Sequence, residues 1–528
     1  MLAQLSDRWR FDDLWRWPLR RQRWVWVLPL VLYEVSKREH AHLQKGIESL
    51  LALALLILVA RRPYKALNAL VIVLPFGLLI LSTLYKYHVP AIVVRGLGFY
   101  DEGIIAGLAV VAIVRVLKAR PSFDGLDKMT FAYVVLGLAY LFLPKLFVGT
   151  AVGAHLSFYA RELGWRSDVL YFGVFLICRH LGLQASQVWN IFRRFLVVDV
   201  VVAVIGFYQF LFPWSFNHLV VDTLGLPKYQ AVVLHSPLLN PTNILAFGTA
   251  AGGHVRIGSV LINNLLAPWY FLFGLGIAIE MISRGKSRPW VVAAVPILSV
   301  ALLLTQSRAA IGGGVVAVIY GLRSQLGRSI VQRVRMASMF ALLGCVALPV
   351  IVFSGLGHRF VGSSVSNEGH VTGVREGIEI MADEPLGRGL ATGAGGGQAA
   401  AGQGAISQSS VFVPEDQWLQ IGTQLGVLGL AIYVGALILM LRRLRPRGQL
   451  PDDQDANTCA GGARIALVGI LAGGLFLQPF IEPVISWTVF ALCGLAVGAM
   501  DQTATDTGKQ PRVLTTLPMI LANLRTSV

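Results

Sequence analysis

Arg308 closes the run LLLTQSR, and the chain turns apolar again at once with AAIGGGVVAVI. A guanidinium at membrane depth costs several kcal/mol, with values from about 2.5 upward. An arginine kept in such a place is therefore a candidate for function. Arg256 stands just ahead of another long apolar segment, and Arg375 lies in a long polar stretch further on. Arginine stays charged at any working pH and presents its donors as a planar fork, which suits a phosphate or diphosphate. Snorkelling to the nearest water is the bland alternative. It fits Arg308 least, because TQSR leads straight into the next apolar run.

Glu415 and Asp416 sit in PEDQWLQ, directly before the apolar segment Trp418–Leu441. Acidic residues at a helix start complement the helix dipole. A carboxylate there could equally take the proton from an attacking sugar hydroxyl, a contribution on the order of 10²–10⁴ in rate. Other chemistries find less support. The ten histidines are scattered, with His358 and His370 in the long polar stretch, and none has zinc-protease spacing. Asp452, Asp453 and Asp455 lack the glycine and distal glutamate of a calcium loop and read as a solvated acidic stretch. The run GAGGGQAAAGQG (393–404) has no GK[ST] after it, so it reads as a flexible lid and not a nucleotide cradle. Cys178, Cys345, Cys459 and Cys493 form no CxxC pair and read as small packing residues. No metal and no cofactor are expected.

The elements that must position these residues are membrane helices. The chain has 528 residues, 55% hydrophobic and only 14% charged, with a mean hydropathy of +0.65. A soluble protein carries about 25% charge. A bilayer crossing needs about 20 mostly apolar residues. Stretches approaching that length begin at Gly46, Ala66, Gly103, Met129, Val169, Phe195, Gly258, Trp290, Ala309, Ala337, Trp418, Ile465 and Val484. The expected fold is an all-α polytopic membrane protein of about 12–13 helices with one large outer loop. It divides into a basic tail (1–45), transmembrane helices (46–356), the large loop (357–417), C-terminal transmembrane helices (418–500) and a cytoplasmic tail (501–528). The segment Val25–Val35 either helps to cross the membrane or lies in its interface.

The net charge of +17 is concentrated in short loops, such as those holding Arg284, Lys286 and Arg288 or Arg442, Arg443 and Arg445. The positive-inside rule puts those loops in the cytoplasm and leaves Arg256, Arg308, Arg375 and Glu415 facing outward. The charge calls for no nucleic-acid partner.

These pieces, in this order, resemble the O-antigen ligase and polymerase family of bacterial membrane glycosyltransferases, over roughly residues 255–430. Val255-Arg256-Ile257-Gly258-Ser259, with Asn263 and Asn264 beyond, resembles the family's arginine motif, with Asn264 where the family has proline. Thr305-Gln306-Ser307-Arg308-Ala309 is similar to its Thr-x-Ser-Arg-Gly/Ala signature. Arg375 followed by Asp383-Glu384-Pro385-Leu386-Gly387-Arg388-Gly389 looks like its periplasmic-loop stretch, and Glu415–Gln420 like the segment returning to the membrane. The resemblance implies a GT-C-like enzyme of the bacterial inner membrane with its active site towards the periplasm. Its substrates would be undecaprenyl-diphosphate-linked glycans, donor and acceptor, set among membrane lipids, with a chain-length regulator or export partner. Arg256, Arg308 and Glu415 would be catalytic; Arg375, Asp416 and Gln420 would bind substrate.

The ligase branch usually has His-Asn where this chain has Glu415-Asp416. That departure favours a polymerase, inverting and metal-independent, which joins the glycan to the hydroxyl of a second lipid-linked repeat. The alternatives are a ligase that hands the glycan to lipid A-core or protein, and, in another class, a lipid-linked-sugar transporter or flippase. Transporters often show internal symmetry and Gly/Pro-broken helices in both halves, and this sequence shows neither in matched positions.

Overall fold

A computed structural model describes residues 55–119, 121–148, 152–233, 255–286, 288–323, 365–402, 411–446 and 454–506. Helices account for all the regular structure among them. Those that matter below are α1 (Pro63–Val73), α2 (Gly125–Phe142), α3 (Phe158–Asp168), α4 (Leu170–His180), α5 (Ala185–Leu211), α6 (Ala267–Ser283) and α7 (Pro289–Leu304). They continue with α8 (Arg308–Arg323), α9 (Val365–Asp383), α10 (Gly396–Gly402), α11 (Gln417–Arg443), α12 (Gln454–Gly473) and α13 (Pro483–Asp506).

Among the described residues, six helical stretches are long and apolar enough to cross a bilayer: Pro63–Lys86, Gly125–Phe142, Ala185–Leu211, Gln417–Arg443, Gln454–Gly473 and Pro483–Thr503. Three shorter apolar helices, α4, α6 and α7, pack among them. The expected spans that begin at Gly46 and Ala337 lie partly or wholly outside the described residues, as does the Val25–Val35 segment.

Lipid contact is written on the helix surfaces. On α5, Val197, Val201, Val204, Tyr208 and Leu211 are exposed at helical spacing, while Ile191, Phe192, Phe195 and Val202 are buried on the opposite side. A helix that is apolar on both faces suits a core on one side and hydrocarbon on the other. The interior is built on α6, buried along its whole length, and on α12 and α13.

Small residues bring these helices close. Ala309, Gly313 and Ala317 of α8 face Gly469 and Gly473 of α12; a Cβ on Gly313 would sit 2.4 Å from the Gly469 carbonyl. Gly494 and Gly498 of α13 likewise lie against the α4 backbone. In membranes, where burial of apolar side chains gives helices little reason to associate, such close backbone approach drives packing.

One end of the bundle is tied by charge. Arg179 of α4 is buried and pairs with Asp124 (2.8 Å), Asp127 (2.9 Å) and Asp501 (2.9 Å), and Arg443 of α11 joins Asp124. Asp124 and Asp127 also form the capping box of α2. A buried charge is tolerated only when paired this fully.

Three expectations change. The apolar run from Gly258 to Ile282 is helical only from Ala267; residues 255–266 form an irregular segment with a single 3-10 turn. Gln209 of α5 accepts from the Gly258 and Ser259 amides, so that backbone does not need a helix to satisfy it. The glycine run is packed in its described part: Gly396 touches Gly164 of α3, and Gly393 touches Gln424 of α11. Its glycines serve close backbone approach and do not make an open lid. Asp455 lies inside α12 and pairs with Lys286, so it is not part of a solvated loop.

Candidate active site

The arginine corner is assembled from α5, the 255–266 segment and the α7–α8 turn. The Ile257 amide donates to the Leu304 carbonyl (3.2 Å), and Arg256 Nε donates to the Thr305 carbonyl (3.0 Å). Arg256 therefore lies against the residue three before Arg308. Arg308 is the first residue of α8, where the free amides of a helix N-terminus favour an anion. Thr305, Gln306 and Ser307 are all buried. Thr305 Oγ1 donates to the Leu302 carbonyl (2.6 Å) and accepts from the Ser307 amide (3.3 Å), which fixes the turn. Ser259 Oγ donates to the Val202 carbonyl of α5 (2.5 Å). Ser259, Ile262 and Gln306 are held at φ of 51°, 53° and 54°. Left-handed backbone costs a non-glycine residue about 1–2 kcal/mol, and such strain gathers where geometry is over-determined for function.

The acidic pair forms a second cluster. Glu415 is half-exposed, and its Oε2 meets His370 Nε2 of α9. Asp416 is buried and caps α11 by position, its carbonyl accepting from the Gln420 amide (3.0 Å). Burial pushes the Asp416 carboxyl above its usual range; the His370 ring opposes that shift and Glu415 adds to it. Sequence reasoning overlooked His370 because it precedes Glu415 by 45 residues, with no local spacing to pair them.

The two clusters meet at the end of α12. A Cβ on Gly473 would lie 2.7 Å from the Ala309 carbonyl, and the Gln417 amide donates to Gly474 (3.3 Å). Ala309 follows Arg308 and Gln417 follows Asp416, so their backbones are separated by on the order of 10 Å across two consecutive glycines.

Gln420 points elsewhere. Its Nε2 donates to the buried Asp168 carboxyl at the end of α3 (2.6 Å), which also accepts from Gln424 (3.0 Å) and Ser167 (3.0 Å). This network braces a break in α11 at Gly426, whose φ of 69° and ψ of −175° only glycine adopts easily. The carbonyls freed around the break accept from the loop Pro385–Gly389: Thr423 from the Arg388 amide (2.7 Å) and Gln424 from the Gly389 amide (2.9 Å). The Pro385 carbonyl in turn accepts from Val427 (2.9 Å). The sequence motif around Pro-Leu-Gly-Arg-Gly is thus the brace of the broken helix.

Arg375 is brought to neither cluster. Its side chain is 82% exposed on α9 and pairs with Glu379 one turn away. Among the described residues, no three His, Cys, Asp or Glu side chains are grouped to hold a metal ion.

Fold and site together define an all-α, multi-pass membrane protein with a cationic corner and an acidic pair at one end of its bundle. Residues 292–434 match the model of the O-antigen ligase family, a likeness that supports a glycosyltransferase-type enzyme of polysaccharide biosynthesis. The match takes in Arg308, α9, the 385–389 brace and the acidic pair, while Arg256 lies ahead of it. The family implies lipid-linked glycan substrates. No curated protein matches the chain.

Proposed function

We propose that the chain is a polysaccharide polymerase of the bacterial inner membrane, transferring a glycan from undecaprenyl diphosphate to a hydroxyl of an acceptor lipid-linked repeat on the periplasmic face. The observation that carries this reading is the contact of Arg256 with Thr305, which joins two motifs 49 residues apart into one cationic corner. Arg256 and Arg308 hold the donor's diphosphate there. The acceptor oxygen bonds to the anomeric carbon from the face opposite the diphosphate, and the configuration inverts. The carbon–oxygen bond to the diphosphate breaks, and its electron pair stays on the departing phosphate oxygen, where the arginines stabilise it. The hydroxyl proton passes to Glu415, oriented by His370. The donor carbon is already activated, so the reaction draws on no nucleotide sugar or ATP, and the arginines take the charge-stabilising part that a metal ion has in other transferases. Arg375 and α9 form the outer rim, where two long glycans are admitted.

One observation favours the ligase as second reading. His370 returns an imidazole to the place where the ligase branch carries its histidine, although from another helix. Deleting the gene separates the two. A polymerase mutant leaves single repeats on the acceptor; a ligase mutant leaves long chains that are not attached. We expect single repeats, restored to full length by the wild-type gene. Long unattached chains would establish the ligase reading instead.

A further inference from the structure

We infer that the end of the bundle opposite the arginine corner carries a binding site for an anionic phospholipid. Helix α7 fixes the geometry. Its last residue, Leu304, leads into the Arg308 turn, while its start lies beside Arg288, about 24 Å away at helical rise. Around that start, two adjoining cavities of about 330 and 600 Å³ share Arg193 and Trp290 among their linings. The smaller is walled by Trp189, Lys286 and Arg288, and the larger by Arg194, Val197 and Ile72. Four helices, α1, α5, α6 and α7, supply the walls.

The charges in this groove are not balanced. Lys286 pairs with Asp455 and stacks over the Trp189 ring at 4.5 Å. Arg194 lies over the Tyr64 ring at 6.0 Å. Among the described residues, no carboxylate pairs with Arg193, Arg194 or Arg288. A concave site with three such guanidinium groups calls for an anion, and arginine favours a phosphate. The remaining walls decide which phosphate. Val197 and Ile72 are 49% and 40% exposed and continue the groove along the lipid-facing surface of α5 and α1. Trp189 and Trp290 flank the charged part, as aromatic rings do at the level of lipid headgroups. A free phosphate has no use for that apolar extension, whereas a phospholipid places its headgroup among the arginines and an acyl chain along Val197. Basic pockets between membrane helices recognise anionic lipids in this manner. The lipid would join α5 to α6 and α7, the helices that carry the supports of the arginine corner.

The test uses the full chain purified in a neutral detergent and titrated with phosphatidylglycerol, phosphatidylcholine or inorganic phosphate, with lipid retention read by native mass spectrometry. We expect wild-type protein to hold phosphatidylglycerol at least fivefold better than phosphatidylcholine. Arg193→Ala with Arg288→Ala should abolish that preference, whereas Arg442→Ala with Arg445→Ala, at the same end of the bundle, should keep it. Val197→Trp, which blocks the apolar wall and leaves every charge in place, should weaken retention even if the double arginine variant fails to fold. Equal retention of the two lipids, unchanged retention in both groove variants, or displacement of phosphatidylglycerol by an equal concentration of inorganic phosphate would overturn the inference.

Discussion

In the proposed reaction one side chain takes the proton and a second orients it, and the two roles are separable. If Glu415 is the base and His370 orients it, Glu415→Gln should lower turnover by about 10²-fold or more, in line with the worth of general-base catalysis. His370→Ala should lower it less, and His370→Gln, which keeps a donor towards the carboxylate, should recover part of the loss. Turnover of the three variants checks this; equal losses in all three, or turnover within twofold of wild type in Glu415→Gln, would remove the pair from the chemistry. Asp416 offers a prediction in stability. Its carboxyl is raised by burial, so the folded state holds that proton more tightly than the unfolded chain does. Its favourable contribution is present below the ordinary aspartate range and is lost as pH rises through the folded-state value. Asp416→Asn cannot titrate. Thermal unfolding at pH 4 and pH 7 should therefore show the variant gaining on wild type at the higher pH; parallel curves would contradict the assignment.

Helices deliver these groups by packing that depends on very small residues. Ala309 of α8 and Gln417 of α11 both rest on Gly473 and Gly474 at the end of α12. A methyl group on Gly473 would meet the Ala309 carbonyl and the Trp269 ring, each at 2.7 Å. Overpacking of this kind costs about 1–3 kcal/mol, and here the strain falls between the arginine corner and the acidic pair. Gly473→Ala should cut turnover more than a tenfold loss of folded protein explains, whereas Gly312→Ala, on an open face of α8, should leave turnover near wild type. Activity per folded molecule, measured for both, decides this; equal effects would mean that the glycine seam does not position the site. The break at Gly426 makes the same point, because the loop Pro385–Gly389 fills the hydrogen bonds that a straight α11 would have kept for itself.

The molecule as a whole was partly legible in its sequence, for reasons that particular residues show. The all-α membrane architecture follows from apolar runs such as that of α5, and Arg308 stood out because charge inside such a run has a cost. The contact of Arg256 with Thr305 was not legible, since nothing local links residues 49 apart. His370 carried no signal for the same reason. Residues 258–266 were mistaken for helix because apolar composition cannot show that Gln209, on a different helix, satisfies their backbone. Glycines 393–397 were mistaken for an open loop because the residue that permits mobility is also the one that permits close packing. Asp455 reads as solvated until α12 brings it to Lys286. In the proposed reaction the corner that α5, α7 and α8 build together holds the donor's diphosphate. Turnover of an undecaprenyl-diphosphate-linked repeat by the full chain in liposomes, wild type against Arg308→Ala, is the most direct measurement of that claim. The account predicts a loss on the order of 10²–10³-fold in the variant, with the protein folded and inserted; turnover within twofold of wild type would contradict it.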